Sequence, residues 1–270
     1  MQTLIFRVRG PVACAAVVMA CVMSVAAAAQ KPAPAPAPES RTTANALPPA
    51  REIIDRHIKA IGGRAALLAH TSSHATGTFS VPSAGMTGSV EIFNAAKPDR
   101  IVTRISIGGI GDITNGFDGV HGWIVSPMTG PMLQQGKELD EARLDAAFYG
   151  ELREDEHYRT IRTVEKTDFE GRPCYKVSLM RRDGVEDFDF YDVETGLKAG
   201  SITTRETPMG TVTATSVVSD YRKFGSLLQP TKLTNKSMGV EQTITIGSVE
   251  FDKVDPSVFE LPAPIKALIK

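Results

Sequence analysis

Cysteine is nearly absent from this chain. Three occur in 270 residues, and two of them, Cys14 and Cys21, fall within the first thirty positions. Cys174 stands alone in the remainder, so no internal disulfide can form there. No histidine or other base is patterned beside it. Its alternating surroundings, Cys174-Tyr175-Lys176-Val177-Ser178-Leu179, predict a buried structural thiol on a strand rather than a nucleophile. Tryptophan occurs once, at Trp123, and aromatics make up 6% of the chain. Basic excess is missing too. Thirty Lys+Arg stand against 31 Asp+Glu, a formal charge of −1; without Arg7 and Arg9, the only charges before position 30, 28 bases face 31 acids, or −3. That excludes the basic footprint of a nucleic-acid binder.

Catalytic signatures are lacking as well. There is no His-Glu-x-x-His, no Gly-x-Ser-x-Gly and no Walker loop. Gly108-Gly109-Ile110-Gly111 has neither the lysine of a phosphate loop nor a following helix, and reads as a flexible strand connection, an apolar lip. His70 and His74 have the spacing of a zinc pair, but Thr71-Ser72-Ser73 interrupts any common helix and no third ligand is patterned nearby. No metal and no cofactor is implied, and the chain reads as a non-enzyme. An enzyme on this frame needs two carboxylates or a histidine cluster converging inside, which the sequence does not pattern.

What is present begins with an export signal. Arg7 and Arg9 precede an apolar run from Pro11 to Val25, which ends in Ala26-Ala27-Ala28-Ala29. Two processing readings stay open. Cleavage after Ala29 gives a periplasmic chain starting near Gln30. Val18-Met19-Ala20-Cys21 read as a lipobox gives a chain anchored to a membrane through Cys21. The apolar run is about 15 residues, short of the ~20 that a spanning helix needs. Lys31 to Pro38 alternates Pro and Ala, an extended polyproline II spacer. The division expected is a signal over 1–29, a Pro/Ala-rich linker over 30–47 and a β-rich domain over 48–270.

Within that domain Ile53, Ile54, His57, Ile58 and Ile61 recur at helical spacing, and Gly62-Gly63 ends the helix. Arg64 to His70 adds a short turn. From Ser73 the period becomes two. Segments at 76–81, 88–94, 100–107, 112–117 and 120–125 read as strands, with Asp118-Gly119 a hairpin turn. Ser126 breaks the pattern, 127–131 is a loop, and 137–152 is helical in composition. Strands resume at 160–166, 174–180, 186–193, 199–206, 211–221, 231–237 and 242–251. An antiparallel sheet this long curls as its twist accumulates. The fold class expected is α+β, mainly β: a strongly curved antiparallel sheet forming an open half-barrel, with the helices near Ile53 and Leu144 across its concave mouth. Such a space can hold an apolar ligand.

Glu186 to Asp192 alternates acid and aromatic. Phe188 and Phe190 are expected to face the core, and Asp187 and Asp189 water. Trp123 has two readings, core packing or a ligand wall shared with Met128, Met132 and Leu133, since methionines adapt to apolar sites.

Five segments in order carry a resemblance. They are Ala50 to Leu67 with its Gly62-Gly63, Phe117-Asp118-Gly119-Val120-His121-Gly122-Trp123, and Tyr191-Asp192-Val193-Glu194-Thr195-Gly196-Leu197. Asp220-Tyr221-Arg222-Lys223-Phe224-Gly225, with Leu228-Gln229-Pro230-Thr231-Lys232, is the fourth, and Val254 to Pro262 closes the set. Together they resemble the outer-membrane lipoprotein-sorting protein family, the LolA/LolB-like superfamily of bacterial envelope proteins. The resemblance implies an open barrel closed by helices, an interior that takes acyl chains of lipids or lipoproteins, and no enzyme chemistry. It implies an envelope setting, with peripheral membrane contact and traffic between membranes. An envelope sensor or scaffold with a protein partner is the alternative on the same fold. The family's carrier uses an arginine on an early strand toward its lid, for which Arg100 and Arg104 are the nearby candidates. Strand parity gives Phe79, Ile92, Ile105, Ile107, Trp123, Met132 and Phe148 as the expected apolar lining.

Overall fold

The computed structural model describes residues 47–207 and 210–269. The export signal, the linker up to position 46 and the lipidation reading at Cys21 lie outside the described residues.

Pro49, with ψ at 141°, ends an extended approach, and helix α1 runs Ala50–Ala60. Glu52 in its first turn and Lys59 in its last complement the helix dipole. Ile53, Ile54 and Ile58 bury its apolar face, as their spacing predicts. Gly62 follows with φ +129°, and a Cβ there would lie 2.6 Å from the Ser226 carbonyl oxygen. Both the turn and the close approach therefore require glycine. Helix α2 is Arg64–Leu68.

Thirteen strands among the described residues form one antiparallel sheet. The first six are β1 Ser72–Val81, β2 Met86–Ala95, β3 Arg100–Ile107, β4 Gly111–Phe117, β5 Gly122–Ser126 and β6 Gly130–Gln134. Helices α3 Lys137–Ala146 and α4 Glu154–His157 intervene. Then come β7 Tyr158–Phe169, β8 Arg172–Arg181, β9 Glu186–Asp192, β10 Lys198–Thr207, β11 Gly210–Phe224, β12 Leu227–Ser237 and β13 Val240–Phe251. Helix α5 is Ala263–Lys266. The strand order is β6-β5-β4-β3-β2-β1-β13-β12-β11-β10-β9-β8-β7. Two meanders thus join through the pairing of β1 with β13, and the sheet does not close. Its free edges, β6 and β7, are linked in sequence by the segment bearing α3 and α4. This is the open half-barrel that the strand pattern predicts.

Two local expectations shift. Residues 130–131, read as loop, and 132–134, given no element, form β6, paired to β5 from Gly122↔Gln134 to Ser126↔Gly130. The helical stretch 137–152 breaks at Ala147, whose ψ is 99°, and resumes as a 3-10 turn over Gly150–Leu152.

Packing divides by sheet face. On the inner face α1 meets Val177, Leu179, Tyr191 and Leu227. Leu228 donates its N–H to the Ile61 carbonyl at 2.9 Å and ties α1 to β12. On the outer face the C-terminal segment covers β2, β3 and β5: Phe259 and Ile265 pack with Phe93, Ala95, Val102 and Trp123. A second outer cluster joins Phe169, Cys174, Phe190 and Ala199, with the Phe169 and Phe190 rings stacked 4.0 Å apart. Cys174 is fully buried there, and burial pushes its thiol up to about 11. It is unreactive at neutral pH.

Candidate functional site

The inner face has two walls of different chemistry. The first is apolar. Register places Ala75 opposite Ile92, Val90 opposite Ile105, and Gly88 opposite Ile107. Across the β1–β13 junction Phe79 faces Ile244, which faces Leu233, which faces Val218. The buried side chains of Phe79, Val90, Ile92, Ile105, Ile107 and Ile244 therefore share one face. Phe79, Ile92, Ile105 and Ile107 are brought together as parity predicts. Met132 shares their parity but sits on edge strand β6, 41% exposed. Phe148 lies elsewhere, beside Ala96, Tyr149 and Leu152, and its N–H donates to Asp99 at 3.1 Å.

Trp123 is a correction to the lining set. It lies on the outer face, under Phe259 and Ile265, so core packing is its role. Gly116, its cross-strand partner, leaves room for the indole: a Cβ there would meet the ring at 2.7 Å.

The second wall is polar, which the sequence did not announce. Val177 faces Asp189, Asp189 faces Ser201, Ser201 faces Ser216, and Ser216 faces Asn235. All are buried. The expectation that Asp187 and Asp189 face water is overturned, whereas Phe190 does enter a core cluster, with Phe188 packed against it, on the outer face. The acids point inward and the phenylalanines outward. Compensating groups make this possible. Lys198 Nζ donates to Asp189 at 2.6 Å, and the Tyr191 hydroxyl donates to the same oxygen at 3.3 Å. Thr204 N–H donates to Asp187 at 3.1 Å, and Arg205 Nη1 lies 3.5 Å from it. Phe190 meanwhile has its own outer cluster, so both faces of β9 are covered.

More carboxylates arrive from the β6–β7 connection. Glu154 of α4 is buried beside Asp189 and Glu151, and burial is the largest of the effects that push its carboxyl up to about 8. Arg51 of α1 offsets part of this from 3.4 Å. His57 is buried on α1, its Nε2 3.6 Å from Glu151 and its Nδ1 3.2 Å from the Gly196 carbonyl. Burial raises the phenols of Tyr191 and Tyr221 far above their ordinary value. Nearer the other end of these strands Glu141 of α3 lies 3.4 Å from Arg205 and 3.9 Å from Arg181. Helix α3 also packs over β3–β6, so it bridges the two walls.

The hydroxyls of Thr103, Ser201, Thr203 and Ser216 are buried without a hydrogen-bond partner in the protein. So are Arg205 Nη2 and Arg181 Nε. Sequence reasoning passed over these residues. The one signal available was Ser201, Thr203 and Arg205 at period two, which patterns a polar strand face without saying that it turns inward.

His70 and His74 each meet a different carboxylate, Asp252 just past β13 at 2.7 Å and Glu91 on β2 at 3.3 Å. Among the described residues no group of three His, Cys, Asp or Glu is placed to hold a metal.

No protein-family model matches the chain, and no curated protein matches it by sequence. Solved structures do match. A DUF1329 family protein from Desulfovibrio piger superposes with TM-score 0.54 at 12% identity, over 79% of this chain and 98% of its own. A LolA superfamily protein from Nitrosomonas europaea gives TM-score 0.53 at 12% identity, over 80% of this chain and 99% of its own. The chain shares the LolA-like fold. A Vibrio parahaemolyticus domain assigned to outer-membrane lipoprotein sorting gives TM-score 0.52 at 13% identity, over 77% and 94%. At this identity the likeness is one of fold. Within the LolA-like fold Arg100 and Arg104 stand over Phe259 and Phe93 on the outer face. They are turned away from α1 and α3, so neither takes the part of a lid-facing arginine. Arg181 and Arg205, by contrast, lie on the inner face of the sheet.

Proposed function

We propose that this protein is a periplasmic, non-catalytic binder or carrier of lipid or lipidated protein. The observation that carries this reading is the apolar wall of Phe79, Ile92, Ile105, Ile107 and Ile244 on the inner face of an open LolA-like barrel. Acyl chains are the ligand such a wall suits. Each methylene removed from water contributes about 0.8 kcal/mol, so a long chain gains several kcal/mol without any directed contact. The similarity to structures named for the LolA superfamily and for lipoprotein sorting supports the same reading. So does the export signal, which also supports an envelope location.

The converging carboxylates are what a catalytic reading would require. The pairing of three of them counts against it. Asp189 is held by Lys198, and Asp187 and Glu141 by Arg205 and Arg181. Carboxylates locked in ion pairs are poor general acids, and no nucleophile is patterned beside them.

A second reading, an envelope sensor or scaffold, draws on α1. That helix packs fully against β7–β9 and β12, so part of the inner face is structural core. Native mass spectrometry of protein purified from the envelope, with uptake of a fluorescent fatty acid, separates the two. Co-purified lipid and saturable uptake support carriage. Neither lipid nor uptake, with a stable cross-linked protein partner, overturns carriage in favour of the scaffold.

A further inference from the structure

The acyl-chain reading leaves two inner-face arginines unused. Arg181 ends β8 and Arg205 lies on β10, both less than a tenth exposed. Three carboxylates face them. Asp187 on β9 lies 3.5 Å from Arg205 and 3.9 Å from Arg181, and is fixed to the sheet by the Thr204 N–H. Asp183 lies 3.2 Å from Arg181 on the exposed β8–β9 turn. Glu141 is different in kind, because it arrives on α3, from the connection between the sheet's free edges. Its distances to the two guanidinium groups are 3.4 Å and 3.9 Å, longer than the ~2.7–2.9 Å of a charge-assisted hydrogen bond.

Buried polar atoms without a hydrogen bond cluster here, Asp187 Oδ2 among them. Arg205 Nη2 and Arg181 Nε have no acceptor, and neither have the hydroxyls of Thr203 and Ser201, which follow Arg205 inward on the same face of β10. Arg205 Nε faces Glu141 and its Nη2 has no acceptor, so displacing Glu141 frees one Nε/Nη2 fork, geometry that binds a carboxylate or phosphate bidentately. With Glu141 in place, two buried cations face two buried carboxylates. If α3 lifts, Arg181 and Arg205 keep only Asp187 inside. Asp183 still faces Arg181 from the turn, so the carboxylate lost is the one at Arg205, and one anionic group takes its place. Across the sheet from these donors the same face becomes the apolar wall of Phe79, Ile105 and Ile107. Donors on one wall and methylenes on the other match an amphiphile with one anionic head.

We propose that Arg181 and Arg205, with Thr203 behind them, form an anion site for the carboxylate or phosphate head of a single-chain amphiphile, and that Glu141 occupies this site until the ligand displaces it. The proposal rests on the acyl-chain reading and names its ligand class.

Calorimetric titration of the mature protein with three oleoyl ligands tests it: oleate, lysophosphatidate and neutral monoolein. Arg205→Gln should weaken oleate and lysophosphatidate at least tenfold and leave monoolein within twofold. Glu141→Gln should strengthen both anionic ligands about tenfold and leave monoolein unchanged. Misfolding cannot produce that gain, so Glu141→Gln decides the matter even if Arg205→Gln fails to fold. Equal affinity for all three ligands, unmoved by either substitution, would overturn the anion site while leaving acyl-chain binding intact. No binding of any of the three would overturn the acyl-chain reading itself. Inorganic phosphate binding as tightly as lysophosphatidate, with the same dependence on Arg205, would show a free-anion site and overturn the amphiphile assignment.

Discussion

Lys198 Nζ lies 2.6 Å from Asp189 Oδ2 inside the barrel, with both side chains about nine-tenths buried. The pair joins β9 to β10 below α1. A buried pair of this kind contributes little net stability over an apolar pair of similar volume, but breaking it strands a charge. Lys198→Met should therefore destabilise the protein by about 3–5 kcal/mol, and adding Asp189→Asn should restore much of the loss. Urea unfolding of the two single variants and the double variant checks this. Additive losses would show that the two groups are not coupled.

Glu154 gives a pH dependence of definite sign. Its carboxyl titrates near 4.5 when free and near 8 in the fold, chiefly because it is buried. Between those values the folded state keeps a proton that the unfolded state has released. Stability then falls as pH rises across the window, by a few kcal/mol at most. Glu154→Gln removes the titration. The variant should match the parent near pH 5 and exceed it near pH 8, in urea midpoints followed by circular dichroism. Parallel curves for the two proteins would refute the assignment.

The fold was legible where period and punctuation agree. The Ile53–Ile61 spacing and Gly62-Gly63 mark α1 and its end. The two-residue period from Ser73 marks the meander, and the parity of Phe79, Ile92, Ile105 and Ile107 puts them together. Parity alone cannot say which face is inside when both are covered. On β9 the outward Phe190 found Phe169 and Cys174, while the inward Asp189 found Lys198, nine residues on. The usual rule of apolar inside failed there because the deciding partners sit on other strands. Trp123 failed for the same reason: its cover, Phe259 and Ile265, comes from the chain's far end. The Arg205–Glu141 pair spans 64 positions, and no local pattern joins them.

Helix α1 should be a stability element. Ile54 is 1% exposed at the centre of the inner cluster with Val177 and Leu179. Ile54→Ala removes buried methyl groups and leaves a cavity, which lowers stability by about 2–5 kcal/mol. Exposed Leu68 on α2 is the control, and Leu68→Ala should change stability by less than about 0.5 kcal/mol. Similar losses at both positions would mean that α1 is not docked as described.

The division of the sheet into faces makes a prediction about ligand uptake. Ile105 and Trp123 belong to neighbouring parts of one sheet, yet point to opposite sides of it. Ile105→Ala removes apolar area from the inner wall. Losing about 2 kcal/mol of chain contact corresponds to a weakening of ten- to thirtyfold for an oleoyl ligand. Trp123→Phe acts only beneath the C-terminal segment, so affinity should stay within twofold while the melting temperature drops. Titration of both variants with monoolein, beside their thermal melts, separates face from stability. Should Trp123→Phe weaken uptake as much as Ile105→Ala at equal foldedness, the acyl chain does not lie on the inner face. The wall of Phe79, Ile92 and Ile107 would then be core rather than a binding surface.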